Sequence, residues 1–455
     1  MTLPSAAIPV KHKHPPGLPV LFFTEMWERF SFYCMLSILA LYMNEVLGFS
    51  TAKVGQIYGL YIGLVYFSPV LGGIIADRWL GFRRSILIGA AFMGMGHFLL
   101  AFPPLLTFFS GLGCLIIGNG LFKPNISTLL GNLYRHMPEK RDDAFNIFYM
   151  GINLGAFASP LVAATLRNTL GWHYAFGAAG IGMIISGIIF IVFKRHYVAG
   201  DIHTDIIEDG AHVKHPVSKQ QERKRLAALM LVFLVVIVFW MAFEQNGFTL
   251  NFWARDATDA ANMPNVTLDR NYLQETGERR LAAELTQAIN PFFVLLFTPL
   301  LVGFWNLLRR RRREPSTAAK IGIGMVITAG AYMILTSAGF IGGDFGRVHV
   351  GWLVSAYATI TIAELCLSPM GLSLVSKLAP ARIRGMMMGG WFAASAVGGI
   401  LAGLIGGLWD HMLHSSFFLI MVVASLAAAA IFFFVIKFIR PIIAEAEQAA
   451  LTSTQ

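Results

Sequence analysis

The chain has 455 residues, of which 56% are hydrophobic and only 13% charged, with a formal net charge of +10 and a mean hydropathy of +0.63. A soluble domain carries about 25% charged residues and must cover itself with polar surface, so this composition excludes a soluble enzyme, a disordered chain and a disulfide scaffold. It reads as an all-α polytopic membrane protein, and the 45 glycines suit membrane helices whose backbones approach closely.

About 20 apolar residues cross a bilayer core as a helix. After a polar tail over 1–17, apolar runs follow at roughly 18–45, 52–76, 85–102, 105–133, 144–166, 173–194, 226–250, 286–308, 319–341, 349–377, 385–409 and 415–437. The tail carries Lys11, His12, Lys13 and His14. It reads as a solvated basic segment rather than a metal site, and the long run after it is not a cleavable signal. Connections are short except 195–225 and 251–285. The expected organisation is a six-helix unit over 18–195, a linker over 196–225, a second six-helix unit over 226–440 and a tail over 441–455.

Twelve spans place both termini on one side. Lys and Arg in loops total 26 on that side and 7 on the other, while Arg29 and Lys123 fall inside spans. The positive-inside rule makes the termini cytoplasmic, and it accounts for the basic charge without a nucleic-acid partner. The run Arg309 to Arg313 reads as a topology anchor, with an anionic-lipid patch as the alternative. Cys34, Cys114 and Cys366 each lie in an apolar run, with no Cys-x-x-Cys spacing. They read as small buried hydrophobes, and no metal site is expected.

Ionisable groups inside spans are costly and mark function. Glu25 and Arg29 in the first span lie within about 40° on a helical wheel, with Glu28 beside them and Tyr33 one turn on. Glu25 is roughly 10 Å deep and Arg29 roughly 16 Å, at about 1.5 Å per residue. Lys123 in the fourth span reaches a similar depth, where it can neutralise the acids or else snorkel to the interface. Glu364 in the tenth span lies near the midplane with no base nearby. It either meets a substrate amine or stays protonated between helices. Glu244 sits toward the outer end of the seventh span as a gate or a packing residue. His97 in the third span reads as a neutral core histidine.

The run Glu25-x-x-Glu28-Arg29-Phe30-x-Phe32-Tyr33 resembles the ExxERFxYY motif of proton-dependent oligopeptide transporters, with Phe32 where Tyr is usual. Leu71 to Gly81, Phe122-Lys123-Pro124-Asn125-Ile126 and Phe145 to Ala156 are similar to that family's second-to-third-helix loop, fourth-helix lysine segment and fifth-helix signature. The resemblance covers about 18–440. It implies the major-facilitator fold, twelve transmembrane helices in two six-helix bundles, and import of di- and tripeptides with protons by alternating access. Glu25, Glu28, Arg29 and Lys123 would serve proton coupling. Arg29 and Lys123 would face the peptide carboxylate and Glu364 its amine, while Tyr33, Tyr66, Asn153, Asn290 and Trp391 would line the cavity. No cofactor is expected beyond protons as the coupling ion, and no enzymatic activity. The expected setting is the bacterial inner membrane, in contact with lipid, as a monomer.

Two departures from the family stand out. Residues 195–225 are too few for the two extra helices that many bacterial members carry. The family Glu at the position of Glu244 often pairs with a first-helix Arg, but Cys34 to Ala40 holds no base, which puts the usual outer gate in doubt. Asp142, with Asp143, and Lys377, with Arg382 and Arg384, are candidates for an inner gate. The competing functions are a transporter of another small solute, such as nitrate or an amino-acid derivative, and a membrane peptide sensor. An intramembrane enzyme lacks any nucleophile–base constellation.

Overall fold

The computed structural model describes residues 13–137, 140–201, 219–379 and 384–452. Among the described residues twelve long helices follow one another: α1 (Gly17–Glu45), α2 (Thr51–Ile75), α3 (Phe82–Leu100), α4 (Leu105–Leu133), α5 (Arg141–Thr169), α6 (Trp172–Val192), α7 (Lys219–Phe243), α8 (Ile289–Arg310), α9 (Thr317–Ile341), α10 (Gly351–Leu378), α11 (Arg384–Gly406) and α12 (His414–Thr452). Ten are long and apolar enough to cross a membrane. The exceptions are α1, diluted by Glu25, Glu28 and Arg29, and α3, which carries Arg83, Arg84 and His97. Large apolar side chains such as Leu64, Ile181, Leu300 and Ile431 stay exposed, as lipid-facing surfaces require.

Local chemistry sets several boundaries. Ser50 and Ser316 cap α2 and α9, accepting from the N–H groups of Lys53 and Ala319 at 3.4 and 3.2 Å, which satisfies orphan donors of the first turn. The expected seventh span is interrupted. Regular helix ends at Phe243, Glu244–Gly247 form a tight turn, and a short helix resumes over Thr249–Asp256. The polar run Glu-Gln-Asn-Gly is a poor helix continuation. At the other boundaries, α7 already begins within the expected linker and α12 runs on to Thr452 through the expected tail.

The helices pack as two groups of six. In the first, α1 lies on α5 and α6, α3 on α4 and α6, and α2 on α4. In the second, α9 lies on α10 and α12, α7 on α11 and α12, and α8 on α10. The groups meet along α2–α11 and α5–α8. The α2–α11 contact is backbone against backbone: a Cβ on Gly59 would press on the Gly403 Cα and the Gly399 carbonyl, both at 3.0 Å. Small residues permit such close crossing. This contact lies toward the end of the molecule where α1 finishes at Glu45, the end opposite Gly17 and termed distal below.

Candidate functional site

The α1 stripe is fully enclosed, with Glu25, Glu28 and Arg29 exposed by 1%, 0% and 2%. Buried charges must be paired and hydrogen-bonded. Arg29 Nε and Nη2 donate to the two oxygens of Glu28, both at 2.5 Å, while Glu25 Oε1 lies 3.6 Å from Arg29 Nε. The tight partner is therefore the adjacent Glu28, although residues one apart rarely face each other on a helix. Glu25 Oε2 has no hydrogen-bond partner among the described residues. Arg29 Nη2 also reaches Asn119 Oδ1 on α4 at 3.2 Å, and its guanidinium lies 4.9 Å from the Phe32 ring centroid.

Lys123 stands one turn beyond Asn119 on α4. It forms no direct ion pair among the described residues, and Arg29, Glu28, Glu25 and Glu244 act on it through space. Its Nζ lies 5.5 Å from the Tyr66 ring centroid on α2. Tyr66 in turn neighbours Glu244, and its ring is 6.0 Å from that of Trp240 on α7. Because α7 breaks at Phe243, Glu244 is held beside Tyr66, Lys123 and Glu364. Glu244 thus joins the central group of charges, with Tyr66 and Lys123 as the neighbours that the sequence left unassigned.

The second group of helices supplies the opposite charge. Glu364 Oε2 on α10 accepts from Asn290 Nδ2 on α8 at 3.0 Å, and Asn290 also reaches Thr361 Oγ1 at 3.0 Å. Tyr33 neighbours Arg29 and Glu28 of its own half together with Glu244 and Glu364 of the other, so it stands between a base of one half and two acids of the other. Tyr149, which sequence reasoning missed within the α5 signature, neighbours Asn153, Tyr33 and Glu364. Asn153 Nδ2 donates to the Tyr149 carbonyl at 2.9 Å. Trp240 was also missed; its spacing of four from Glu244 was the available signal. Trp391 is 2% exposed and covers Gly371 of α10 inside the second-half core. His97 is buried, and neither ring nitrogen is hydrogen-bonded among the described residues. The side chains of Asp142 and Lys377 lie outside the described residues.

A second charged cluster closes the distal end. Arg167, on the last turn of α5, is 3% exposed. Its Nη1 reaches both Glu284 oxygens at 2.9 and 2.8 Å, and its Nη2 reaches Asp269 at 2.8 Å and Glu45 at 3.2 Å. Arg280 bonds Asp269 at 2.5 Å and Glu45 at 3.2 Å, and Arg255 bonds Glu45 at 3.3 Å and Asn44 at 2.9 Å. Glu45 and Arg167 belong to the first half. The other members come from the α7 extension and the segment before α8. In sequence these arginines counted only as loop charges, because the partners of Arg167 lie about a hundred or more residues away and those of Arg255 and Arg280 include the equally distant Glu45.

Comparison with known proteins agrees with this arrangement. The model of the POT family matches residues 83–215 and 207–418. The peptide transporter YePEPT of Yersinia enterocolitica subsp. palearctica is 32% identical, covering 87% of this chain and 88% of its own. The di-/tripeptide transporter of Lactococcus lactis subsp. lactis is also 32% identical, over 84% of this chain and 87% of its own. Among solved structures, a peptide transporter POT in complex with sulfate superposes with a TM-score of 0.83 at 28% identity, covering 95% of this chain and 96% of that one. A POT family transporter in complex with 5-aminolevulinic acid gives 0.80 at 29% identity, over 94% and 97%. With this match, and with the twelve-helix major-facilitator architecture in place, the chain belongs to the POT family of membrane transporters.

Proposed function

We propose that the protein is a proton-coupled symporter that imports di- and tripeptides by alternating access. The observation that carries this reading is the convergence on Tyr33 of Arg29 from one half and Glu364 from the other, with Lys123 next to Arg29. A short peptide is a zwitterion. Its carboxylate suits Arg29 and Lys123, and its amine suits Glu364. Anchors that see only chain ends leave side-chain selectivity loose.

Proton coupling follows from the acids that crowd the bases. Glu25 and Glu28 share Arg29, and two acids around one base favour uptake of a proton by one of them. The coupled groups load as a set. Protonation loosens the hold on Arg29 and Lys123 and frees a cation for the peptide carboxylate. Tyr66, Asn153 and Asn290 shape the cavity, and Glu244 adds a third acid beside Lys123. Gate roles for Asp142 and Lys377 remain part of this reading at the cytoplasmic end. The chain performs no catalysis and needs no cofactor. It works as a monomer in the bacterial inner membrane, in contact with lipid and with both termini cytoplasmic. The distal end is then the outer one, shut here by the Arg167 cluster and the α2–α11 contact, and rocking of the halves opens it.

A small amino-acid derivative carrying the same two charges is the second reading, favoured by the solved relative that holds 5-aminolevulinic acid. Uptake of radiolabelled dialanine into proteoliposomes under an inward proton gradient tests the first reading. No dialanine uptake, with uptake of 5-aminolevulinic acid, would replace the peptide by the derivative.

A further inference from the structure

Pro69 lies inside α2. A proline has no N–H, so the carbonyl four residues back, that of Val65, loses its helical donor. Val65 is 2% exposed, too enclosed for water to replace that donor. Asn119 on α4 takes its place, with Nδ2 donating to the Val65 carbonyl at 2.9 Å. Ser68 Oγ of the same helix adds a longer contact of 3.3 Å. The other end of the same amide, Oδ1, accepts from Arg29 Nη2 at 3.2 Å. The partners fix the amide orientation, since only its nitrogen donates to a carbonyl and only its oxygen accepts from a guanidinium. Close approach of α2 and α4 permits this reach: a Cβ on Gly72 would strike the Gly120 carbonyl.

We infer that Asn119 is a positioning residue that joins the Arg29 charge cluster to the proline bend of α2, so that a change at Arg29 is passed to that helix. The charged and titratable groups around Arg29 are Glu25, Glu28 and Tyr33 on α1, Tyr61 and Tyr66 on α2, and Lys123 on α4. When a proton neutralises one of the acids, or a ligand carboxylate draws the guanidinium away, the neutral amide oxygen still holds Arg29. Movement of Arg29 then pulls the amide, and a buried carbonyl deprived of its donor is unfavourable. The bend at Pro69 adjusts instead. The same helix forms the backbone contact with α11, so the charge cluster is linked to the surface between the halves.

The inference rests on the transporter reading, and the test separates the two. Variants Asn119→Leu, Pro69→Ala and the double variant are compared for gradient-driven dialanine uptake and for peptide exchange at equal pH. Pro69→Ala restores an N–H for the Val65 carbonyl and makes the Asn119 donor redundant. Asn119→Leu is expected to lower gradient-driven uptake about tenfold, the scale of one hydrogen bond to a charged group, to move the pH profile, and to affect exchange less. Pro69→Ala should move the pH profile in the same direction, and the double variant should be no worse than Asn119→Leu alone. A second readout needs no transport: in a background where Cys34, Cys114 and Cys366 are replaced by Ala, the maleimide labelling rate of Leu71→Cys, just beyond the bend, divided by that of a free thiol at the same pH because only the thiolate reacts, should vary with pH in the parent and stop varying in both single variants. Should Asn119→Leu fail to reach the membrane, Asn119→Thr, too short to serve both partners, replaces it. Multiplying losses together with pH-dependent labelling in every variant would overturn the inference. A parent that takes up no dialanine but shows the expected labelling pattern would remove the peptide reading and keep the link.

Discussion

Replacing Arg167 by Gln tests whether the distal cluster is the outer gate. The guanidinium holds two almost wholly buried carboxylates, Glu284 and Asp269, at 0% and 1% exposure. Asp269 keeps Arg280 as a partner, whereas among the described residues Glu284 forms an ion pair with Arg167 alone. Removing one member of a buried pair costs about 3–5 kcal/mol. On the alternating-access reading, the cluster, which spans both halves, breaks when the distal end opens, so the cost falls on the closed state. At about 1.4 kcal/mol per factor of ten, this shifts the open-to-closed ratio by roughly a hundredfold or more. The assay places a cysteine at Asn246, an enclosed position beneath the cluster whose side-chain amide has no partner among the described residues, in a background where Cys34, Cys114 and Cys366 are replaced by Ala. An impermeant maleimide is added from outside. The parent should label slowly and Arg167→Gln about a hundredfold faster. Adding Glu284→Gln should slow labelling again, because the orphaned charge is gone. Equal rates in the parent and Arg167→Gln would refute the gate.

Glu364→Gln keeps an acceptor for Asn290 and removes the charge, so the KM for dialanine should rise at least about tenfold while uptake of N-acetylated dialanine is unaffected. Equal losses for both peptides would show that Glu364 does not meet the amine. A gate built on this cluster should also resist mild acid. Burial alone would raise the Asp269 carboxyl, but Arg167, Arg280 and the Tyr272 N–H outweigh it and hold the group below its ordinary 3.8. A depressed carboxyl contributes its full stabilisation above the ordinary value and loses it as pH falls through the native one. Labelling at Asn246→Cys, divided by that of a free thiol at the same pH because only the thiolate reacts, should therefore stay flat from about pH 8 to 5 and rise only below about 4. A rise between pH 7 and 5 would mean that another group controls the gate.

Much of this architecture is legible along the chain. The twelve runs and the skew of basic residues set the passes, and the burial of Glu25, Glu28 and Arg29 and the half-burial of Glu364 and Asn290 follow from the cost of placing charge and amide groups in lipid. The sequence also places Glu25 on one stripe with Arg29, but the close pairing with Glu28 was not legible, since Arg29 is also held by Asn119 of α4. Glu244 reads as an outer residue along a continuous helix. Its central position depends on the break after Phe243, which the run Glu-Gln-Asn-Gly hinted at. The Arg167 cluster was not legible, because nothing local ties α5 to residues 269 and 284. The Asn119 bond was half legible: Pro69 announces an orphan carbonyl at Val65, and only the fold reveals what answers it.

Proton-driven peptide import is probed most directly by dialanine accumulation in proteoliposomes under an inward proton gradient, with and without an ionophore, for the parent and Glu25→Gln. The parent should accumulate dialanine, the ionophore should abolish that accumulation, and Glu25→Gln should lose it while peptide counterflow survives. Accumulation in Glu25→Gln equal to that of the parent would contradict the assignment of proton coupling to Glu25, and absence of dialanine uptake in the parent would contradict peptide symport itself.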